Sequence, residues 1–198
     1  MAASPRLILA SGSPRRSDLL REAGFSFETI KPEVEEIEDD AVPVHDLTAM
    51  NARLKADAVA RDRDREDAVV LAADTLVLLG DTVLGKPTDR PDAARMLAEL
   101  NGRTHQVFTA VAIVRRSHEL VCELSVATEV VFKNLTDREM AEYHDRIDPM
   151  DKAGAYGAQD HGELIVEKMS GSMTNVIGLP MDEVVAALAA WFGITPET

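Results

Sequence analysis

The feature that most constrains the fold is Ala68–Ala73, an unbroken apolar run (Ala-Val-Val-Leu-Ala-Ala) that stops at the polar pair Asp74-Thr75. A short apolar run bounded by polar residues is the pattern of a fully buried strand. Other elements must cover such a strand, and the chain supplies them in alternation. Leu7–Ala10 predicts a first strand, and Ser17–Ala23 has helical spacing that stops at Gly24. Phe25–Ile30 alternates as a strand does, and Pro32 with the acidic run Glu33–Asp40 reads as a loop. Asp46–Arg61 predicts a helix with Leu47, Met50, Leu54 and Val59 among its apolar positions. Leu76–Val83 reads as a hairpin around Gly80-Asp81. Asp89–Leu100 is a helix with Asp89 as its cap, Pro91 in its first turn and Gly102 past its end. Val107–Val114 and Glu119–Phe132 predict two strands joined at Arg115–His118; Thr136–Asp145 predicts a helix and Leu164–Lys168 a short strand. Val184–Phe192 closes the chain as a helix after the Gly178-Leu179-Pro180 turn. Alternating strands and helices define an α/β class, and the two hairpins make the sheet mixed.

Composition narrows the function classes. The chain has 198 residues, which suits one domain of the usual size of about 100–200 residues. Folding such a chain removes roughly 70% of its unfolded surface from solvent. A net charge of −14 argues against a nucleic-acid polymer as partner, because a phosphate backbone needs a basic stripe. It does not exclude a small anion: local cations and a metal ion outweigh a surface charge that salt screens beyond about 8–10 Å. Cys122 is the single cysteine, so no intramolecular disulfide forms and a reducing compartment is expected. Within Leu-Val-Cys-Glu-Leu it reads as a small packed residue. The first sixteen residues carry too short an apolar run for a secretory signal. No segment approaches the roughly 20 apolar residues that span a bilayer.

Five groups of residues can carry chemistry. Ser11-Gly12-Ser13-Pro14-Arg15-Arg16 lies between a predicted strand and a predicted helix. Small residues there admit a ligand to the backbone, a helix N-terminus favours an anion, and arginine forks match phosphate oxygens. The alternative is a turn with a serine cap and a solvated arginine pair. Asp74-Thr75 ends the buried strand, and ligand sites in α/β folds gather at the carboxyl ends of strands. There Asp74 either holds a cation and orients a water or caps a turn. Glu35 and Glu36 are oxygen ligands of the kind a hard cation takes, or simply part of a solvated acidic run. Lys86, in the rigid turn Gly85-Lys86-Pro87, either binds a phosphate as a point charge or is solvated. Asp151–Gln159 (Asp-Lys-Ala-Gly-Ala-Tyr-Gly-Ala-Gln) is a Gly-rich loop in which Lys152 can meet a phosphate and Gln159 a base edge. The five histidines show no metal-ligand spacing, and no Ser-His-acid set or Walker loop is present.

The combination is more specific than its parts. Leu9-Ala10-Ser11-x-Ser13-Pro14-Arg15-Arg16, Val34-Glu35-Glu36, Ala73-Asp74-Thr75, Gly85-Lys86-Pro87, Leu100–His105, Asp151–Gln159 and Gly178-Leu179-Pro180, in that order, resemble the Maf family over about Leu7–Leu188. The form of Lys152–Gln159 resembles its dTTP/UTP pyrophosphatase subgroup, not the 7-methyl-GTP subgroup. Met173 stands where relatives commonly carry an aromatic residue. The resemblance implies one domain over residues 1–198, an elongated two-lobed mixed-sheet fold related to the inosine triphosphate pyrophosphatases, with a central substrate cleft. It implies hydrolysis of a nucleoside triphosphate to the monophosphate and pyrophosphate, a divalent metal such as Mg²⁺, Mn²⁺ or Co²⁺, a cytoplasmic location, no membrane partner and often a homodimer. By the same resemblance Asp74, Glu35 and Lys86 are catalytic. Ser11, Arg15, Arg16, Lys55, Thr75, Lys152 and Gln159 contact substrate; Asp74, Glu35 and Glu36 face the metal. Two alternatives stand beside it: a house-cleaning pyrophosphatase for modified nucleotides, and a nucleotide-binding regulator of cell division.

Overall fold

The computed structural model describes residues 5–39 and 41–197. Asp40, the last residue of the predicted acidic run, and Met1–Ser4 of the N-terminal stretch lie outside the described residues. The strands are β1 (Leu7–Ala10), β2 (Glu28–Ile30), β3 (Val69–Leu79), β4 (Thr82–Leu84), β5 (Thr104–Arg115), β6 (Leu120–Phe132) and β7 (Val166–Ser170). The helices are α1 (Pro14–Glu22), α2 (Val44–Ala60), α3 (Arg90–Leu100), α4 (Asp137–His144), α5 (Met173–Ile177) and α6 (Met181–Phe192). Among the described residues the strands form one sheet in the order β2-β1-β3-β5-β6-β7, with β4 paired to β3. β1 pairs in parallel with β2 and with β3, whereas β3–β4 and β6–β7 are antiparallel. The sheet is therefore mixed, as the alternation and the hairpins predict.

Boundaries moved where tertiary contacts overrode the local pattern. α1 begins at Pro14, three residues before the predicted start, because a proline in the first helical turn loses no hydrogen bond. The arginines of the Ser-Gly-Ser-Pro-Arg-Arg segment thus lie in the first turn of the helix. β3 does not end at Asp74: it continues to Leu79 before turning at Gly80, whose φ is 61°. Asp74 consequently stands inside a strand and not at its carboxyl end. Only Glu28–Ile30 of the predicted strand at Phe25–Ile30 pairs. β7 lies two residues later than expected, and α5 is an additional short helix. Cys122 is half-buried on β6 and not packed away, and burial with Glu123 beside it raises its thiol pKa.

Two compact units divide the chain: Met1–Asp74, Thr109–Val126 and Gly178–Thr198 in the first, Thr75–Phe108 and Ala127–Ile177 in the second. In the first unit, α2 presents Ala52, Ala56, Val59 and Ala60 to Ile8 and Ala10 of β1, Val70 and Ala72 of β3, and Ala110, Ala112 and Val114 of β5. Small side chains on both partners let the helix lie close on the sheet, and that placement carries Lys55 toward β3. The second unit packs Ala93, Met96, Leu97 and Leu100, one stripe of α3 at helical spacing, against Val77, Val107, Phe132, Tyr143 and Tyr156. Phe132 is 1% exposed, and truncating a core phenylalanine to alanine costs roughly 3–5 kcal/mol.

Candidate active site

In the first unit, β1 delivers Ser11 to the start of the turn that enters α1. The Ser11 hydroxyl accepts from the Ser13 amide at 3.1 Å and from Arg16 Nη1 at 3.4 Å, which closes the turn. Arg16 Nε donates to the Gly178 carbonyl at 2.8 Å, so the Gly178-Leu179-Pro180 turn holds the arginine in place. Burial lowers the pKa of the Arg16 guanidinium; Asp74 and Glu36 oppose that shift and Arg15 adds to it. An arginine remains cationic across the physiological range regardless. Gly12 leaves room for the stem of Lys31, whose Cγ and Cδ lie 3.4 Å from where a Gly12 Cβ would stand. The loop therefore combines a fixed hydroxyl, arginines in the first turn of a helix and a neighbouring lysine, the elements of a phosphate site.

The second feature of this unit is a buried ion pair. Lys55, from α2, places Nζ 2.6 Å from Asp74 Oδ1 and 2.9 Å from Glu36 Oε1. The side chains of Lys55 and Asp74 are 9% and 6% exposed, whereas that of Glu36 is 42% exposed. Removing one member of a buried pair strands the other charge, typically at a cost of about 3–5 kcal/mol. Asp74 Oδ2 is buried without a hydrogen-bond partner among the described residues. A buried acceptor left open costs about 1–3 kcal/mol, and a ligand for that oxygen would recover the cost.

That oxygen decides whether the residues fit a divalent cation. A hard cation takes oxygen ligands, keeps several waters and needs only one or two carboxylates beside substrate phosphates. Asp74 Oδ2, with Glu36 tied to Asp74 through Lys55, fits such an ion. Among the described residues no group of three or more His, Cys, Asp or Glu side chains is gathered to hold a metal. The fit is thus to a cation completed by water and phosphate. Glu35 is exposed and forms no ion pair with a described residue.

In the second unit, the Asp151–Gln159 loop is built around backbone that few residues tolerate. Gly154 has φ 68°, and a Cβ there would lie 3.1 Å from Val77 Cγ2. A Cβ on Gly157 would lie 2.8 Å from Asp160 Oδ2 and 2.9 Å from Lys152 Cε. Lys152 is buried, its Nζ donating to the Asp148 carbonyl at 2.7 Å and to Asp151 Oδ1 at 2.8 Å, with Asp160 Oδ2 at 3.5 Å. Gln159 is exposed and donates to Asp160 Oδ2 at 3.1 Å. Thr75 is half-buried on β3, and Lys86 is exposed after β4, where Gly85 O accepts from the Gly154 amide at 3.0 Å.

Three side chains to which the sequence reading gave no site role brace this loop. The Tyr143 hydroxyl bonds both the amide and the carbonyl of Gly157, at 3.0 and 3.1 Å. His144 Nε2 meets the Ala155 carbonyl at 3.0 Å. His105 Nε2 lies 2.8 Å from the Tyr156 hydroxyl, in an edge-to-face cluster of His105, Phe132 and Tyr156. Burial pushes His105 down to about 4 and raises the phenols of Tyr143 and Tyr156. The sequence signal for Tyr143 and His144 is their place in the last turn of a helix just before the Gly-rich loop.

By class, this is a mixed α/β protein in which a loop carrying a fixed hydroxyl and two arginines shares one unit with a buried, half-satisfied carboxylate. A model of the family described as Maf-like protein matches residues 6–191. The chain belongs to that family. A dTTP/UTP pyrophosphatase of Akkermansia muciniphila is 46% identical over 184 residues, covering 93% of this chain and 95% of the relative. A protein of the same name in Bdellovibrio bacteriovorus is 46% identical over 181 residues, 90% of this chain and 94% of the relative. One in Escherichia coli is 44% identical over 183 residues, 92% and 91% of the two chains. Among the described residues no helix is long and apolar enough to cross a membrane.

Proposed function

We propose that this chain hydrolyses nucleoside triphosphates, dTTP and UTP foremost, to the monophosphate and pyrophosphate. The observation that carries the reading is Asp74: a buried carboxylate whose Oδ1 is held by Lys55 and whose Oδ2 has no hydrogen-bond partner among the described residues. It occupies the same unit as a loop equipped for phosphate. Relatives named dTTP/UTP pyrophosphatase, 44–46% identical over nearly the whole chain, support the choice of substrate.

Ser11, Arg15 and Arg16 bind phosphate oxygens and hold the chain of phosphates against the first turn of α1. Lys55 orients Asp74 through Oδ1, so Oδ2 is aimed at the attacking water and takes its proton. The water oxygen bonds to phosphorus as the α–β phosphoanhydride bond breaks, and pyrophosphate leaves. A divalent cation held by Asp74 with Glu36 and Glu35 would acidify the water and offset phosphate charge, which a carboxylate alone does poorly at neutral pH. Thr75, Lys86, Lys152 and Gln159 are assigned to substrate on the family resemblance, with Gln159 reading the base. The same resemblance carries the proposals of a cytoplasmic protein and a homodimer.

The test is pyrophosphate release from a panel of canonical and modified triphosphates with Mg²⁺, Mn²⁺ or Co²⁺ and an EDTA control. Metal-dependent release is expected, highest for dTTP and UTP, with 7-methyl-GTP largely intact. Asp74→Asn is expected to lower turnover by more than about a hundredfold while the protein stays folded. Tight nucleotide binding with no release from any triphosphate would overturn the reading.

A further inference from the structure

The turn that displays Gln159 is held by a residue outside the motif. Gly157 O accepts from the Asp160 amide at 3.2 Å, so residues 157–160 form a turn with Gln159 at its exposed third position. Tyr143, 1% exposed on α4, reaches the first residue of that turn. Its hydroxyl donates to Gly157 O at 3.1 Å and accepts from Gly157 N at 3.0 Å. A phenol has one proton to give and lone pairs to accept, so both bonds coexist. Gly157 in turn abuts Lys152 and Asp160, and Asp160 Oδ2 takes the amide of Gln159. The next residue of the helix, His144, holds the Ala155 carbonyl at 3.0 Å, so the end of α4 grips alternate residues of the loop.

We propose that Tyr143 is a positioning residue for base selection: its hydroxyl fixes the first residue of the turn, and the turn sets where Gln159 points. The proposal rests on the pyrophosphatase reading and on Gln159 meeting the base. Burial keeps the phenol protonated across the working pH range, so it remains a donor throughout. Tyr143→Phe keeps the ring in the core and deletes only the two bonds.

The experiment measures kcat and KM for UTP, dTTP, CTP and GTP with the wild-type protein, Tyr143→Phe, Gln159→Ala and the double variant, with urea midpoints to confirm folding. Tyr143→Phe is expected to raise KM for UTP and dTTP about tenfold, the scale of one lost hydrogen bond, with a smaller change in kcat and little change in KM for GTP. The double variant is expected to discriminate no worse than Gln159→Ala alone, because the two residues act in series. Equal losses on all four nucleotides, or additive losses in the double variant, would overturn the proposal. So would unaltered discrimination in Gln159→Ala, which leaves the hydrolase reading intact. A wild-type protein that turns over none of the four sinks that earlier reading itself.

Discussion

Asp74, Lys55 and Glu36 come from three different elements, yet one ammonium group ties them together. That arrangement leaves Oδ2 of Asp74 open among the described residues, and the proposed chemistry follows from it. His105 is the contrasting buried group, 2% exposed and kept neutral by its surroundings. Its folded pKa of about 4 lies below the ordinary 6.5. As the pH drops through the upper value the unfolded chain gains a proton that the folded chain refuses until the lower one, so stability declines across that window. Between pH 7 and 5 the His105 share of the decline is on the order of 2 kcal/mol. Urea unfolding of wild-type protein and His105→Gln at the two pH values measures it; the variant should show the flatter profile, and parallel profiles would contradict this account. At this scale Ser11, Arg16, Glu36 and Asp74 each stand in a local pattern that the sequence displays, whereas Lys55 entered only through the family resemblance. Tyr143, His144 and His105 were not legible: their partners lie 11 to 51 residues away, and no spacing rule links them.

Helices whose ends are written in local chemistry were readable at the scale of the element. Asp89, extended at φ −156° and ψ 178°, accepts from the Asp92 amide at 2.8 Å and starts α3 where the cap predicts. Asp89→Ala should lower stability by about 1 kcal/mol, read as a shifted urea midpoint, with the specific activity of the folded protein preserved. Thr136 and Glu139 start α4 through a reciprocal capping box. β3 was misjudged for a physical reason: a polar pair reads as a strand end, but Lys55 of α2, 19 residues earlier, compensates the carboxylate and the ladder runs on. α5, five residues long, is too short to leave a periodic signal.

For the whole molecule, alternation of elements and the two hairpins sufficed to predict a mixed α/β sheet, while the strand order β2-β1-β3-β5-β6-β7 depends on long-range pairing that no local pattern encodes. The net charge of −14 acts at this scale too. Duplex DNA in excess over substrate should leave the initial rate of UTP hydrolysis unchanged, since a phosphate polymer meets no basic stripe. Strong inhibition, abolished by salt, would contradict that. A final consequence concerns time and not energy. β3, which carries Asp74, is buried from Val69 to Asp74, with Val69–Leu71 paired to β1 and β5 as its other neighbour. Amide hydrogens on such a strand exchange with solvent only when the fold as a whole opens, whereas surface turns open on their own. The carboxylate at the centre of the proposed chemistry therefore keeps its address for as long as the molecule stays folded.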